Sequence, residues 1–330
     1  MESLDLRVLG DALAWRRAGH AVTLVTVVET WGSAPRPPGA LLAVRDDGVV
    51  SGSVSGGCVE DDLIARIKAG EYEQPGSGRP SMIAYGVSKE EATRFGLPCG
   101  GTLRLVQEPL RDIAWVEELL ARTAAHELVA RTLTLATGQV VLGRAARDGR
   151  MHFDGSTLTT LFGPKWRLLL IGAGQLSQAV AQMAQMLDFE VLVCDPREEY
   201  AATLVAGSAR RVEGMPDDVV REIKPDAHTA IVALTHDPKL DDMALLEALR
   251  SDAFYVGALG SARNQATRKQ RLAEHFDLSG SELARLHGPV GLRIGAKTPA
   301  EIAVSVIAQI IEVKNVAAQM AAAASGCAVS

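Results

Sequence analysis

The stretch from Lys165 to Asp195 constrains the fold more than any other part of the chain. Trp166 to Ile171 reads as a buried strand, and Gly172-Ala173-Gly174-Gln175-Leu176-Ser177 follows it directly. Helical spacing then runs over Leu176 to Leu187, and a second apolar strand over Glu190 to Cys194. A strand that ends in a glycine turn and opens a helix is the context a dinucleotide-binding fingerprint requires. Gly172 permits the tight turn. Gly174 lets backbone approach a pyrophosphate, whose charge would sit on the helix N-terminus beside Gln175. Asp195 ends the second strand at the spacing of an acid that accepts ribose hydroxyls. Ser177 stands where a third glycine is usual; that position serves close helix–strand packing, so a small side chain suits it.

Beyond Asp195 the alternation continues, with strands expected at His228 to Leu234 and Ala253 to Val256. Alternating strands and helices imply a parallel sheet, whose ligands bind beyond the carboxyl ends of the strands. Thr235-His236-Asp237-Pro238 and Gly257-Ala258-Leu259-Gly260-Ser261 occupy such ends. His236 and Asp237 are therefore nucleotide-crevice candidates, although Asp237 before Pro238 is equally suited to cap a helix. Arg263, Arg268, Lys269 and Arg271 read as a solvated helix face, with Arg263 a phosphate candidate. A final helix is expected from Pro299 to Lys314, opened by the capping box Thr298-Pro299-Ala300-Glu301 and followed by a fraying Ala-rich tail. Cys194 reads as a small buried residue of the second strand.

The first half has a different grammar. A helix over 3–18, a strand over 21–30 and a hairpin around Asp46-Asp47-Gly48 precede the glycine turn Ser55-Gly56-Gly57-Cys58, which runs into a helix over 59–69. Backbone N–H groups of Gly56 and Gly57 at a helix start form an anion nest that could hold a phosphate or favour a thiolate at Cys58. Glu60, Asp61 and Asp62 complement the helix dipole but oppose that thiolate. Cys99, beside Gly100 and Gly101, is a second candidate, and burial is an equal reading for either cysteine. Strands are expected at 81–85 and 102–107, a helix over 111–125 and two strands within 128–142. Residues 146–164 are polar, glycine-bearing and without period, and read as a linker. The expected organisation is 1–145 as an α/β domain and 165–330 as a Rossmann-like domain.

Composition closes off several classes. A net charge of −6 over 330 residues gives no pull toward nucleic acid. The acidic N-terminus lacks a signal-peptide pattern and the apolar runs are strand-length, so a cytoplasmic protein without membrane spans is expected. Four cysteines without paired spacing suit reduced thiols, and there is no metal-ligand cluster or catalytic triad.

Six ordered segments carry a resemblance that spans about residues 8 to 315. They are Trp31 to Arg36, Gly52 to Glu60, Cys99 to Gly101, Thr235 to Asp242, Gly257 to Arg263 and Gly291 to Ile302. Together they resemble the XdhC/CoxI family. That resemblance implies an N-terminal XdhC/CoxI-type α/β domain followed by a Rossmann-like domain. It also implies an accessory protein that receives molybdenum cofactor, as molybdopterin or its cytosine dinucleotide. Such a protein guards the cofactor during sulfuration by a cysteine desulfurase and passes it to the large subunit of a xanthine dehydrogenase-type client. Cys58 and Cys99 then become candidates on the cofactor side. Family members often have His-Val-Gly where this chain has Gln175-Leu176-Ser177, which leaves the nucleotide open. An NAD(P)-dependent oxidoreductase, with His236 as proton donor, and a docking scaffold are the competing readings. A homodimer is the default assembly.

Overall fold

In the first half, one strand rich in Val and Thr organises the packing. β1 (Val22–Thr30) is buried over its first seven residues, because β-branched side chains fill both faces of a central strand. The computed structural model describes residues 3–30, 36–70, 79–86, 102–145, 151–201 and 209–326. The chain divides into two compact units, Met1–Pro164 and Lys165–Ser330. Helix α1 (Ser3–Arg17) precedes β1, and β2 (Leu41–Arg45), β3 (Val50–Gly52), α2 (Cys58–Lys68), β4 (Ser81–Tyr85) and β5 (Leu103–Pro109) follow it. The sheet order is β3-β2-β1-β5-β4, antiparallel throughout. The expected helix at the start of the chain is present as α1, with Val8, Leu9, Ala12 and Leu13 buried in this sheet's core.

The first unit continues with α3 (Ala114–Ala124), β6 (Val129–Thr134), β7 (Gln139–Arg144), β8 (His152–Phe153) and β9 (Thr157–Phe162). These four strands form a second antiparallel sheet, β7-β6-β9-β8. Residues 146–164 are therefore not simply a linker: where they are described, they supply two strands. β9 buries Leu158, Thr160 and Phe162 on alternate positions, a period-2 pattern that threonines conceal in the sequence. Arg131 of β6 donates from Nη2 to both carboxylate oxygens of Glu108 on β5, at 2.7 and 2.6 Å. Both side chains are buried, and the guanidinium lies 4.2 Å from the Trp115 ring of α3. This pair joins the two sheets.

In the second unit β10 (Arg167–Ile171) is buried at every position and sits at the centre of a six-stranded sheet. The elements are α4 (Gln175–Met186), β11 (Glu190–Cys194), α5 (Glu198–Ala201), β12 (Arg210–Arg211), α6 (Pro216–Ile223), β13 (Thr229–Ala233), α7 (Pro238–Arg250), β14 (Tyr255–Ala258), α8 (Ala262–Phe276), α9 (Gly280–Ala284), β15 (Leu286–His287) and α10 (Pro299–Gly326). The order β12-β11-β10-β13-β14-β15 is parallel throughout, the 3-2-1-4-5-6 arrangement of a Rossmann fold. Strand alternation sorts its core. Leu168 and Leu170 join one cluster with Val180 and Ile307 of α4 and α10, while Leu169 and Ile171 join the other with Val220, Leu245 and Leu272. α10 runs to Gly326 rather than ending near Lys314, because Ala is the strongest helix former and its tract continues the helix.

The Arg131–Glu108 pair generates a prediction. Arg131→Met leaves a carboxylate buried without its partner and should cost about 3–5 kcal/mol in urea denaturation. Replacing both residues, Glu108→Leu with Arg131→Met, should recover most of that loss.

Candidate functional site

The sheet order changes direction between β10 and β13, so the carboxyl ends of these strands flank the switch-point crevice. Gly172, at φ +109°, makes the turn after β10. A Cβ there would lie 3.1 Å from Thr235 N and 3.2 Å from Leu234 C, so only glycine allows the two strand ends to approach. Gly172 N donates to Cys194 O at 2.7 Å and Leu234 N to Ile171 O at 2.8 Å, pinning three strand ends together. Burial pushes the Cys194 thiol up to about 12, which makes it an inert packing group. Gly174 is the N-cap of α4 at φ −69°, without a side-chain cap, and a Cβ built on it meets nothing within 4 Å. The space above this helix start is open, and Gln175 beside it is exposed. Ser177 takes the packing position, 1% exposed, with its hydroxyl buried and unpartnered.

Asp195 departs from expectation. Its side chain is wholly buried and both oxygens are filled by the chain itself. Oδ2 accepts from Ala173 N at 2.9 Å and Arg197 Nη2 at 2.8 Å, and Oδ1 from Arg197 N at 3.1 Å and Nε at 2.9 Å. A carboxylate accepts about four hydrogen bonds, so none is left for a ribose. Burial raises the Asp195 carboxyl, but these donors outweigh it and hold its pKa below the ordinary value. Arg197 is absent from the residues singled out in the sequence, although its place two residues after Asp195 is the available signal.

His236 and Asp237 do stand at the carboxyl end of β13. His236 is exposed and adopts φ +62°, a left-handed conformation that costs a non-glycine residue about 1–3 kcal/mol. Asp237 caps α7 by accepting from Lys239 N at 2.9 Å. Below them Asp241 accepts from Thr235 N and Oγ1 at 3.2 and 2.7 Å. Arg268 donates to Asp241 at 3.0 Å and to Asp242 at 3.1 Å. Burial pushes the Asp241 carboxyl upward against Thr235 and Arg268. Arg268 is thus buried rather than on a solvated face, and it also donates to Leu259 O at 3.2 Å. The network ties the loops after β13 and β14. Arg263 is exposed in the first turn of α8.

In the first unit the glycine turn has its own anion. Glu60 Oε1 accepts from Val54 N and Ser55 N, both at 2.9 Å, and from Ser53 Oγ at 2.7 Å. Glu60 Oε2 accepts from Gly57 N at 3.0 Å and from the Ser55 hydroxyl, while Gly56 N donates to Ser53 Oγ at 3.0 Å. The nest expected to offer Gly56 and Gly57 to a phosphate is therefore filled from within, because Glu60 at the third helical position reaches back over the turn. Cys58 opens α2. Cys99 lies outside the described residues, as do residues 31–35 of the first motif.

Burial alone would raise the Glu60 carboxyl; the serine hydroxyls and backbone donors outweigh it and hold it at about 2, below its ordinary 4.5. A depressed carboxyl stabilises the fold above its unfolded value and loses that effect as pH falls through the folded value. Glu60→Gln should therefore cost up to about 3 kcal/mol near neutrality. The gap between wild type and variant in denaturation should close from about pH 5 to 2.

The comparisons agree with this architecture. Residues 168–310 match the XdhC Rossmann domain and residues 15–79 the XdhC and CoxI family. The chain is 32% identical over 310 residues to the molybdenum cofactor insertion chaperone PaoD of Escherichia coli, covering 93% of this chain and 88% of that one. It is 30% identical over 319 residues to a Bacillus subtilis protein named as a probable xanthine dehydrogenase subunit, covering 88% and 93%. A crystal structure described as a xanthine dehydrogenase from Bacillus halodurans superposes with a TM-score of 0.75 at 25% identity, over 95% of this chain and 96% of that one. A glycine-turn α/β unit followed by a 3-2-1-4-5-6 parallel sheet, matched along nearly its whole length by these relatives, makes this chain a member of the XdhC and CoxI family.

Proposed function

We propose that the chain is a cytoplasmic carrier that binds molybdenum cofactor, holds it while a cysteine desulfurase sulfurates it, and delivers it to the large subunit of a xanthine dehydrogenase-type enzyme. The observation that carries this reading is the near full-length similarity to an insertion chaperone. The cofactor is cargo, so the chain needs residues that hold and release it rather than a turnover site. Cys58, at the first residue of α2, is the proposed cofactor-side residue of the described first unit, with Cys99 its proposed companion. A soft sulfur suits a molybdenum centre or a persulfide, where a hydroxyl does not.

The open helix start at Gly174 fits the pyrophosphate of a nucleotide, either the cytosine dinucleotide form of the cofactor or NAD(P). Backbone N–H groups at a helix N-terminus hold an anion without a counter-cation, and the missing side chain at Gly174 leaves room for it. Among the described residues no helix is long and apolar enough to cross a membrane. The oxidoreductase reading needs a proton donor at the crevice, and exposed His236 is the residue that would supply it.

Two outcomes test the proposal. Protein co-expressed with cofactor synthesis should purify with pterin fluorescence and molybdenum, while Cys58→Ser should keep its melting temperature and lose most of that load. A destabilised variant with normal loading would instead make Cys58 a packing residue. Gly174→Val should fold normally, since φ −69° suits any residue, and should abolish calorimetric binding of pyrophosphate nucleotides. Equal binding by both proteins would remove the nucleotide from this turn.

A further inference from the structure

The carboxyl end of β11 presents a guanidinium where the sequence pattern places a carboxylate. Asp195 is wholly buried and holds four hydrogen bonds from Ala173 and Arg197. A ribose diol could reach it only by breaking a bidentate, charge-assisted pair. The side chain that does reach the surface is Arg197, 26% exposed. Its guanidinium carbon lies 4.2 Å from the Tyr200 ring, and Tyr200 is itself exposed.

This arrangement fixes what the position can recognise. The Asp195 pair engages the Nε–H and one Nη2–H of five guanidinium N–H bonds, which leaves three for an outside acceptor. Asp195 below and Tyr200 at one face hold the fork rigid, so little side-chain entropy is lost on binding. A guanidinium only donates, and it matches phosphate oxygens far better than hydroxyls. In a Rossmann unit this place, beyond the second strand, faces the 2′ position of the bound ribose.

We propose that the Rossmann unit takes a dinucleotide whose ribose carries a 2′-phosphate, and that Arg197 reads this group. The inference rests on the reading of the Gly172–Gly174 turn as a nucleotide site and names the ligand class that the site prefers. Asp195 then serves as a positioning residue, holding Arg197 and the Ala173 turn in register.

Calorimetric titration of the full chain with NADP, NAD and cytidine diphosphate tests the assignment. Wild type should bind NADP roughly ten- to a hundredfold more tightly than NAD. Arg197→Met should bring the two within about twofold by weakening NADP alone. Arg197→Lys keeps the charge but not the fork, and should retain an intermediate preference; it serves as the reading if the Met variant melts early. NAD bound as tightly as NADP, or cytidine diphosphate bound more tightly than either, would overturn the proposal. Absence of binding by all three would overturn it as well. Pterin loading on the same preparation separates the cases: a loaded protein that ignores NADP sinks this inference alone, while an unloaded one sinks the carrier reading too.

Discussion

The buried carboxylate of Asp195 is the interaction on which the Rossmann crevice depends. It receives donors from the turn after β10 and from Arg197 beyond β11, so two strand ends share one acceptor. With Gly172 pressed against Thr235, the switch point closes to backbone contact distance. The charge is tolerated inside because every oxygen is satisfied, the condition under which a buried ion does not neutralise itself. What remains for a ligand is the open helix start at Gly174 and the outward edge of Arg197.

The same economy recurs in the first unit and elsewhere in the second. Glu60 fills the glycine turn before α2, and Asp241 anchors Thr235 while Arg268 spans to Leu259 O. Each of these carboxylates fixes the backbone of a loop from inside. Glu60 also takes the Gly57 donor that the sequence alone offers to a phosphate. The helix starts of α2 and α7 are closed by Glu60 and Asp237, whereas Gly174 provides no side chain to close α4.

Much of the fold was legible because it follows from period and punctuation. The buried run of β10, the Gly172–Gly174 turn and the helical spacing after it dictate a strand–turn–helix, and the capping box at Thr298 and Glu301 appears as expected. β8 and β9 were not legible, since a short edge strand and a threonine-rich partner carry too little apolar contrast. The burial of Arg268 was hidden for a different reason. Its partners Asp241 and Asp242 lie 27 and 26 residues away, and only the packing of α8 beside α7 brings them together. The sequence placed Asp195 correctly but not its occupancy, because a ribose acceptor and an internal anchor look identical until the neighbouring Arg197 folds back.

The carrier account stands or falls on transfer. Protein purified with labelled molybdenum cofactor, mixed with cofactor-free client and then separated from it, should lose its label to the client as the client gains activity. Free cofactor at the same concentration and under the same oxidising conditions should activate the client more slowly and less completely. Label that stays on this chain, or a client activated equally well by free cofactor, would contradict the account.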